Sequence, residues 1–392
     1  MNDSQVKIST TQAVVIIVNY MLGAGILTLP RTTSRAVGTP DVWISILLSG
    51  LIITGIGLIL VTLCRRFPDK TVFQFTREIT GRWIAYILGC ATILYFMIIA
   101  AFEIRVMADV TGMYLLERTP TWAIVMVFMW IGIYMISGGL GVIIRVFEII
   151  LPITLIIFVI EILLSNQLFE ISNLRPVLGE GIMPVLKGLK PSLLSYTGYE
   201  VMLVITAYMK DPKKSNKAMT WGLTISTMIY LITVVMVVGS LSLDGIKTRT
   251  WPTLDLVRSF EIQGLIFERF ESLLLVIWIM QIFSTFAITH YCASVGIRDL
   301  FRAKKIRRIM YALLPVIYLT AMMPKTVFET FALGDMLGNA SVVLFAILPL
   351  VLLLISMIRK KEANTHDFIP YVLTSNLCCV HTVYSFRLLE QP

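Results

Sequence analysis

The segment NYMLGAGILTLPR, residues 19 to 31, interrupts the first hydrophobic segment of a chain that is almost wholly hydrophobic. Glycine is flexible and proline removes a backbone donor, so a Gly-x-Gly followed by a proline is unfavourable inside a continuous membrane helix. Unsatisfied backbone in hydrocarbon is costly, so this break must face protein or water. Membrane proteins with discontinuous helices place such breaks near the bilayer midplane, where they hold a solute. A second candidate break, residues 195 to 200, lies in a later segment, and the two together indicate a solute-binding site.

The composition predicts an all-α integral membrane protein. Of 392 residues 57% are hydrophobic and 15% charged, and the mean hydropathy is +0.84, whereas soluble domains carry about 25% charged residues. Six windows exceed the run of about 18 apolar residues that predicts a spanning helix. They are residues 43–63, 84–102, 121–144, 218–243, 272–297 and 336–358. Four less regular segments, residues 11–29, 146–168, 191–209 and 309–323, bring the predicted number of transmembrane helices to about ten.

The basic residues are distributed unevenly between the predicted connections. The connections on one side contain Arg65, Arg66, Lys70, Arg77, Arg82, Lys210, Lys213, Lys214, Lys217, Arg298, Arg302, Lys304, Lys305, Arg307 and Arg308. The short connections on the other side contain few, Arg118 in one and Lys325 in another. By the positive-inside rule this pattern places both termini in the cytoplasm. The net charge of +9 then reflects topology and contact with lipid headgroups rather than nucleic-acid binding. Docking of a cytosolic partner on residues 302–308 stays open as an alternative.

The chain is predicted to form one polytopic domain, residues 1–361, followed by a cytoplasmic tail, residues 362–392, to which no role is assigned. Ten helices divide into two sets of five, residues 11–168 and 186–358. An odd number of helices in the first set gives the second set the opposite orientation, as an inverted repeat requires. The broken first helix of one set then corresponds to the broken first helix of the other. An amphipathic stretch, residues 67–82, is expected along the membrane surface.

The chemistry of the proposed site follows from the first break. If the helix stops near Leu22 and restarts after Gly25, the second half presents N–H groups and a positive dipole end, which would bind a substrate carboxylate. Free carbonyls at the end of the first half and near Tyr196 suit an ammonium group, and an α-amino acid carries both groups. Alternatively, the small residues only allow close helix packing. The predicted substrate-binding residues are Gly23, Ala24, Gly25, Ile26, Tyr196, Thr197, Gly198, Tyr199, Glu200 and Ser284.

Four charged residues inside the hydrophobic segments are further candidates. Glu200 is predicted either to pair with a substrate amine or carry a proton, or to cap the helix that begins beside it. Glu103, Arg105 and Asp109 are candidate gating or ion-pair residues. Arg105 and Asp109 are four residues apart, share a helix face and can pair with each other.

The eighth predicted transmembrane helix, residues 272–297, carries polar residues that allow two interpretations. Gln281, Ser284 and Thr285 share one face, so they either line the cavity or form hydrogen bonds between helices. His290 is either a proton relay or, as favoured here, a buried core histidine.

No metal, cofactor or catalytic chemistry is predicted. The tail residues His366, Cys378, Cys379 and His381 do not have zinc-ligand spacing. A P-loop, a nucleophile elbow, an HExxH motif and paired catalytic carboxylates are all missing from the sequence, so the chain is not expected to be an enzyme.

Several motifs carry a family resemblance. GAGILTLPR, LYFMIIAAFEIRVMADVTGMYLLERTP, PITLIIF, LSYTGYEVML, YMKDPKK and TRTWPTLDLV follow one another in this order. Together they resemble the spore germination permease family over residues 5–361. The resemblance implies a B subunit of the nutrient receptors of bacterial endospores, acting beside A and C subunits in the inner spore membrane. The family is similar to amino acid–polyamine–organocation transporters, which implies the leucine-transporter type of inverted repeat with helices 1 and 6 broken. The long tail departs from the family pattern.

Two functions therefore compete. The first is a receptor subunit that binds a small germinant, with an amino acid as the first candidate, in a pocket at the midplane and triggers germination. The second is an amino acid transporter coupled to protons or sodium. The residues alone favour the transporter, because breaks in inverted repeats serve alternating access, and the resemblance favours the receptor.

Overall fold

The computed structural model describes residues 6–259 and 270–359, with the side chains of 270–274 excepted. This part of the chain is helical apart from its turns and one isolated β-bridge, between Ile8 and Met209. Its α-helices are α1 (Thr10–Met21), α2 (Ala24–Val37), α3 (Val42–Arg65), α4 (Val72–Thr80), α5 (Arg82–Tyr114), α6 (Thr121–Ser137), α7 (Leu140–Ser165), α8 (Met183–Ser195), α9 (Met202–Ile205), α10 (Ser215–Thr248), α11 (Pro252–Arg258), α12 (Phe270–Phe301), α13 (Ile306–Met322), α14 (Val327–Ser341) and α15 (Leu348–Ile358). Short 3₁₀ segments are Ile171–Leu174, Tyr199–Val201, Thr206–Tyr208 and Pro212–Lys214, and a π-helical segment, Val342–Ile347, joins α14 to α15.

Several of these helices match the length of a bilayer. Six helical stretches in the described part are long and apolar enough to span it, namely Val42–Arg65, Arg82–Tyr114, Leu140–Ser165, Pro212–Thr248, Leu275–Phe301 and Val327–Ile358. The fourth is kinked at Ser242, which has φ 59°. The pair α1 and α2, bent by 53° at a short break, counts as a seventh when it is taken as one span. The chain is therefore a multi-pass membrane protein.

Some helix boundaries differ from those expected from the sequence. The hydrophobic run 121–144 was expected to be one helix, but α6 ends at Ser137 and α7 begins at Leu140. The cause is the Gly138-Gly139 pair, because Gly139 adopts φ 83°, a conformation that costs glycine least. The expected surface helix within residues 67–82 is α4, which buries Phe73, Phe75 and Ile79. The tail 362–392, with its cysteines and histidines, lies outside the described residues.

The two ends of the helix bundle differ in charge. At one end the Arg359 side chain donates to the carbonyl of Ile79 at 2.9 Å, and Arg307 donates to the carbonyl of Ser137 at 3.1 Å. We call this the basic end. By chain connectivity it also holds Arg65, Arg66, Lys70, Arg77, Arg82, Lys210, Lys213, Lys214, Lys217, Arg298, Arg302, Lys304, Lys305 and Arg308. At the other end, which we call the opposite end, the side chain of Arg35 donates to the carbonyl of Lys247 at 2.7 Å.

The centre and the periphery of the bundle are set by burial. In α12, 83% of the most apolar stretch is buried inside the protein, whereas the corresponding figure for Val327–Ile358 is 28%. The helix α12 therefore lies at the centre, where it packs along α5 and against α1. The α14–α15 stretch presents most of its surface to lipid.

The contact between α3 and α10 depends on small residues. A Cβ atom added at Gly50 would lie 2.4 Å from Cγ2 of Thr227, and one at Gly57 would lie 2.9 Å from Sδ of Met219. Both helices therefore approach more closely than any larger residue at these positions permits. Small residues that bring helix backbones together are a common basis of helix association in membranes.

We predict that Gly50→Val destabilises the protein by about 1–3 kcal/mol, because the new side chain would overlap Thr227 in a packed interface. The matched control is Gly55→Val on the same helix, since a Cβ at Gly55 meets no atom within 4 Å. The thermal unfolding midpoint of each purified variant in one detergent is the measurement. Equal midpoints for the two variants would contradict the packing argument.

Candidate functional site at the two helix breaks

The first break lies between α1 and α2, at Leu22 and Gly23. The Gly23 backbone has φ −61°, so no left-handed conformation requires glycine there. Glycine is needed there because the space is too small for a side chain. A Cβ at this position would lie 2.5 Å from Oγ1 of Thr285 and 2.9 Å from Oε2 of Glu103. Thr285 in turn donates to the carbonyl of Tyr20 at 3.0 Å. The break is thus closely enclosed by α5 and α12.

A protein carboxylate occupies the start of α2. The backbone N–H of Ala24 lies 3.1 Å from Oε2 and 3.4 Å from Oε1 of Glu103, a buried residue on α5. A carboxylate at a helix N-terminus is stabilised by the dipole and by the unpaired N–H groups. The sequence led us to expect a free N–H there for a ligand carboxylate, but the Ala24 N–H already has an anionic partner. The position of the Glu103 side chain is the reason.

The second break follows α8 and includes residues 196–198. Gly198 has φ +135°, a conformation that favours glycine, and a Cβ there would lie 2.6 Å from Cγ of Met21. The two breaks are therefore in direct contact. Tyr196 is fully buried and donates from its hydroxyl to the carbonyl of Ile46 at 3.1 Å.

One tyrosine links the carbonyl ends of both broken helices. The Tyr230 hydroxyl, on α10, lies within hydrogen-bonding distance of the carbonyl of Met21 at the end of α1. The same hydroxyl is 3.4 Å from the carbonyl of Ser195 at the end of α8. The last carbonyls of a helix have no partner within it, and the Tyr230 hydroxyl lies within reach of one such carbonyl at each break.

Glu200 lies on the side of the breaks towards the basic end and is fully buried. Its Oε2 accepts the Gly198 N–H at 2.6 Å, and its Oε1 accepts the hydroxyls of Tyr20 at 2.9 Å and Tyr95 at 3.1 Å. These three donors come from the second break, from α1 and from α5. The bond from Gly198 is not an N-cap bond, because Gly198 precedes the 3₁₀ segment Tyr199–Val201.

A cavity of about 250 Å³ begins at Glu103 and extends towards the opposite end. It lies between α2, α5, α8 and α14, and its lining residues are Gly25, Thr28, Arg31, Thr32, Arg35, Phe102, Glu103, Pro191, Leu194, Ser195, Thr197, Phe328, Phe331, Gly334, Asp335, Leu337 and Gly338. The side chain of Arg31 lies over the Phe331 ring, at 4.8 Å from its centroid, a favourable cation–π distance. The fully buried layer around Glu200 separates the cavity from the basic end.

The structure brings three of the thirteen predicted residues to the cavity wall, namely Gly25, Thr197 and Glu103. The other predicted binding residues are buried beside it without lining it, and they are Gly23, Ala24, Ile26, Tyr196, Gly198, Tyr199, Glu200 and Ser284. Ser284 donates to the carbonyl of Met280 on its own helix at 2.9 Å.

The predicted pair between Arg105 and Asp109 is formed, with 2.9 Å between Nε and Oδ1, and both side chains are buried. Asp109 also accepts the Thr330 hydroxyl at 2.9 Å, so the pair connects α5 to α14. Neither residue lines the cavity.

Some polar residues of α12 form hydrogen bonds with other helices. Gln281 donates to the Thr154 hydroxyl at 2.7 Å, and a ring nitrogen of His290 is 3.0 Å from the carbonyl of Met310. Gln281 thus forms one of the hydrogen bonds between helices considered from the sequence, and His290 lies in the core, as favoured there.

The residues that make the cavity polar along its length were not among those predicted from the sequence. Thr28, Arg31 and Arg35 recur at intervals of three and four residues along α2, and this pattern on one helix face was a readable signal. Tyr230 gave no such signal, because it stands alone in an apolar run and its role depends on where two other helices end.

The comparison with known proteins now identifies the family. The model of the family described as "Spore germination protein" matches residues 7–330. The chain belongs to this family. Spore germination protein YndE of Bacillus subtilis (strain 168) is 50% identical over 355 residues, which cover 91% of this chain and 98% of the relative. Spore germination proteins A2 and B2 of the same organism are 37% and 32% identical, over 91% and 92% of this chain and 97% and 98% of the relatives.

Solved structures show the same fold in transporters. Mhp1, a nucleobase-cation-symport-1 family transporter solved with bromovinylhydantoin bound, superposes with a TM-score of 0.69 at 14% identity, covering 93% of this chain and 81% of that one. MhsT in complex with L-phenylalanine gives a TM-score of 0.66 at 12% identity, covering 90% and 89%. At these identities the likeness establishes a fold shared with transporters of the leucine-transporter type.

We predict that Tyr230→Phe destabilises this germination protein by about 1–3 kcal/mol, because the carbonyls of Met21 and Ser195 lose a buried hydrogen-bond donor. Tyr134→Phe is the control, since Tyr134 is 83% exposed. The thermal unfolding midpoint in detergent reports the loss. A midpoint for Tyr230→Phe as high as that of the control would show that other groups satisfy these carbonyls.

Proposed function

We propose that this chain is the membrane subunit of a spore nutrient germinant receptor, and that it binds a small germinant in the cavity beside the helix breaks. An amino acid is the first candidate ligand. The observation that carries the proposal is the cavity itself, whose wall combines the buried carboxylate of Glu103, two arginines, Asp335 and several hydroxyl groups with apolar side chains. Its volume of about 250 Å³ falls below the range of about 300–1,000 Å³ typical for drug-sized ligands, as suits a small nutrient.

The proposed topology has ten transmembrane helices within a single domain, residues 1–361. To the six long spans and the α1–α2 pair it adds three shorter ones. These are α6, α13 and the broken helix formed by α8 and Tyr199–Tyr208. The α6 and α13 helices have 17 residues each, the lower limit of about 17–25 for a spanning helix.

The breaks then fall in the first helix of each set of five, as an inverted repeat of the leucine-transporter type requires. The basic end faces the cytoplasm by the positive-inside rule, together with both termini. The cavity consequently opens away from the cytoplasm of the spore, on the side from which nutrients arrive. The location is the inner spore membrane or the cell membrane.

The proposed partners are the A and C subunits of a germinant receptor complex, with membrane lipid surrounding the bundle. Family membership supports this assembly. The proposed small-molecule ligand is the nutrient. We propose that ligand binding in this subunit is relayed to the partners, without a catalytic step, cofactor or metal ion, and without nucleic acid.

The alternative function is an amino acid transporter coupled to protons or sodium. The transporter fold of the structural neighbours favours it. The alternative shares the cavity and differs in requiring a complete transport cycle. Concentrative uptake of an amino acid by the purified chain alone in liposomes would support it.

The function is tested by germination of spores from a deletion strain of the source organism, against a panel of amino acids, sugars and nucleosides. We expect loss of the response to one nutrient and its recovery with the intact gene. Normal germination combined with failure to accumulate an amino acid would instead establish the transporter, and a source organism that forms no spores would exclude the receptor.

We predict that Gly25→Trp abolishes the nutrient response while the protein remains in the membrane. The indole would fill the cavity, because Gly25 is part of its wall. There is no spare space at this position, since a Cβ would already lie 2.9 Å from the carbonyl oxygen of Ser195. Thr28→Phe, at a half-buried position of the same wall, is a milder second variant. Gly55→Trp is the control, since that position has no neighbour within 4 Å.

Germination of spores carrying each variant is measured beside immunoblots of the membrane fraction. Full responses from both cavity variants at normal protein levels would show that the germinant binds elsewhere.

A further inference from the structure

We infer that Glu103 receives the ammonium group of the ligand, so that the site selects a primary amine and holds it with its nitrogen against the first break. This inference rests on the proposed function of the cavity as the ligand site. It reverses the orientation expected from an unoccupied helix N-terminus, where the carboxylate of an amino acid would bind.

The first step concerns the hydrogen bonding of Glu103. The residue is 4% exposed, lines the cavity and accepts a hydrogen bond from the N–H of Ala24. A carboxylate has two oxygens and about four acceptor positions, and one N–H cannot satisfy them. Within residues 6–259 and 270–359, Glu103 has no salt bridge to a basic side chain. A buried carboxylate without a cation is costly, and its spare acceptors face the cavity.

The second step concerns the hydroxyl groups around it. The hydroxyl of Thr28 donates to the carbonyl of Gly25 at 3.2 Å, and that of Ser195 donates to the carbonyl of Pro191 at 3.1 Å. Because each hydroxyl hydrogen is committed to its own helix, these oxygens offer only lone pairs to the cavity. An ammonium group, with three N–H donors and no acceptor, matches such a wall.

The third step excludes a ligand carboxylate from the same position. An anion near the N–H of Ala24 would lie against the Glu103 carboxylate, and like charges disfavour one another at such distances. Thr197 has the one lining hydroxyl without a hydrogen bond in the described structure, so it is a donor available to a ligand carboxylate.

The arginines are not positioned to bind the carboxylate of an amino acid whose ammonium group lies at Glu103. The backbone of Arg31 lies seven residues, or about 10 Å along the helix axis, from that of Ala24, and its guanidinium donates to the carbonyl of Thr250 at 3.5 Å. The Arg31 side chain is also held over Phe331. Arg31 and Arg35 therefore act on the approaching ligand, or on the far end of a longer one.

The test uses the full chain, purified in lipid nanodiscs, and binding is followed by microscale thermophoresis. The common amino acids are screened first. Each one that binds is compared with the hydroxy acid that replaces its ammonium by a hydroxyl, and with the amine that lacks its carboxylate. Loss of a charge-assisted hydrogen bond costs about 1.5–3 kcal/mol, so we expect the hydroxy acid to bind at least about tenfold more weakly than the amino acid.

The decisive variant is Glu103→Gln, which keeps an acceptor for the N–H of Ala24 but removes the charge. We expect its affinity for the amino acid and the amine to fall at least about tenfold. Affinity for the hydroxy acid should stay constant or rise, since the repulsion of its carboxylate is relieved. A residue that only supports the structure would lower all three affinities together.

Two further variants serve as controls. Glu161→Gln replaces another buried carboxylate, which accepts a hydrogen bond from Trp278 at 3.2 Å and lies outside the cavity. It should leave all affinities unchanged. Glu103→Asp keeps the charge and should retain part of the preference for amines even if Glu103→Gln lowers the thermal unfolding midpoint.

Two outcomes would overturn the inference. Hydroxy acids that bind as tightly as amino acids, with binding blocked by Gly25→Trp, would leave the cavity as the ligand site and refute the role of Glu103. Absence of binding for every amino acid, hydroxy acid and amine would refute both this inference and the amino acid receptor itself.

Discussion

The structure depends on how it satisfies backbone groups where two helices stop inside the bundle. Free N–H and C=O groups cannot be left to hydrocarbon, and here side chains from three other helices pair with them. Glu103 accepts the first N–H of α2, Thr285 donates to the carbonyl of Tyr20, and Tyr230 lies between the last carbonyls of α1 and α8. These bonds hold α5, α10 and α12 at fixed places around the breaks.

The two buried carboxylates divide the region into two parts. Glu200 accepts three hydrogen bonds in a fully buried layer, and it joins α1, α5 and the second break. Glu103 accepts one hydrogen bond and borders the cavity. Glu200 is thus part of the buried layer on the side of the basic end, whereas Glu103 has unused acceptor positions on the side of the opposite end. The difference lies in the number of donors that the neighbouring helices provide.

The class of protein and the presence of both breaks could be predicted from the sequence, because hydropathy and glycine spacing are local properties. The family could be predicted from the order of its motifs. The first break ends earlier than expected, because α2 begins at Ala24 and not after Gly25, whereas the Gly198 turn lies within the expected second break. The occupant of the α2 N-terminus was not predictable, because it depends on the rotation of α5 relative to a helix that is distant in sequence. The role of Tyr230 depends likewise on three helices meeting at one hydroxyl. Arg31 and Arg35 on one face of α2, by contrast, could have been predicted from their spacing in the sequence, but they were overlooked.

The hydroxyl of Tyr230 carries a single hydrogen, although two carbonyls lie beside it. At any moment it can satisfy Met21 or Ser195, and the other carbonyl then lacks a donor. Ser195 borders the cavity, so a ligand that brings its own N–H groups supplies the missing hydrogen and leaves Tyr230 free to remain on Met21. Both carbonyls would then have a donor at the same time only in the occupied protein, and a bound ligand would take part in the backbone hydrogen bonding of the bundle.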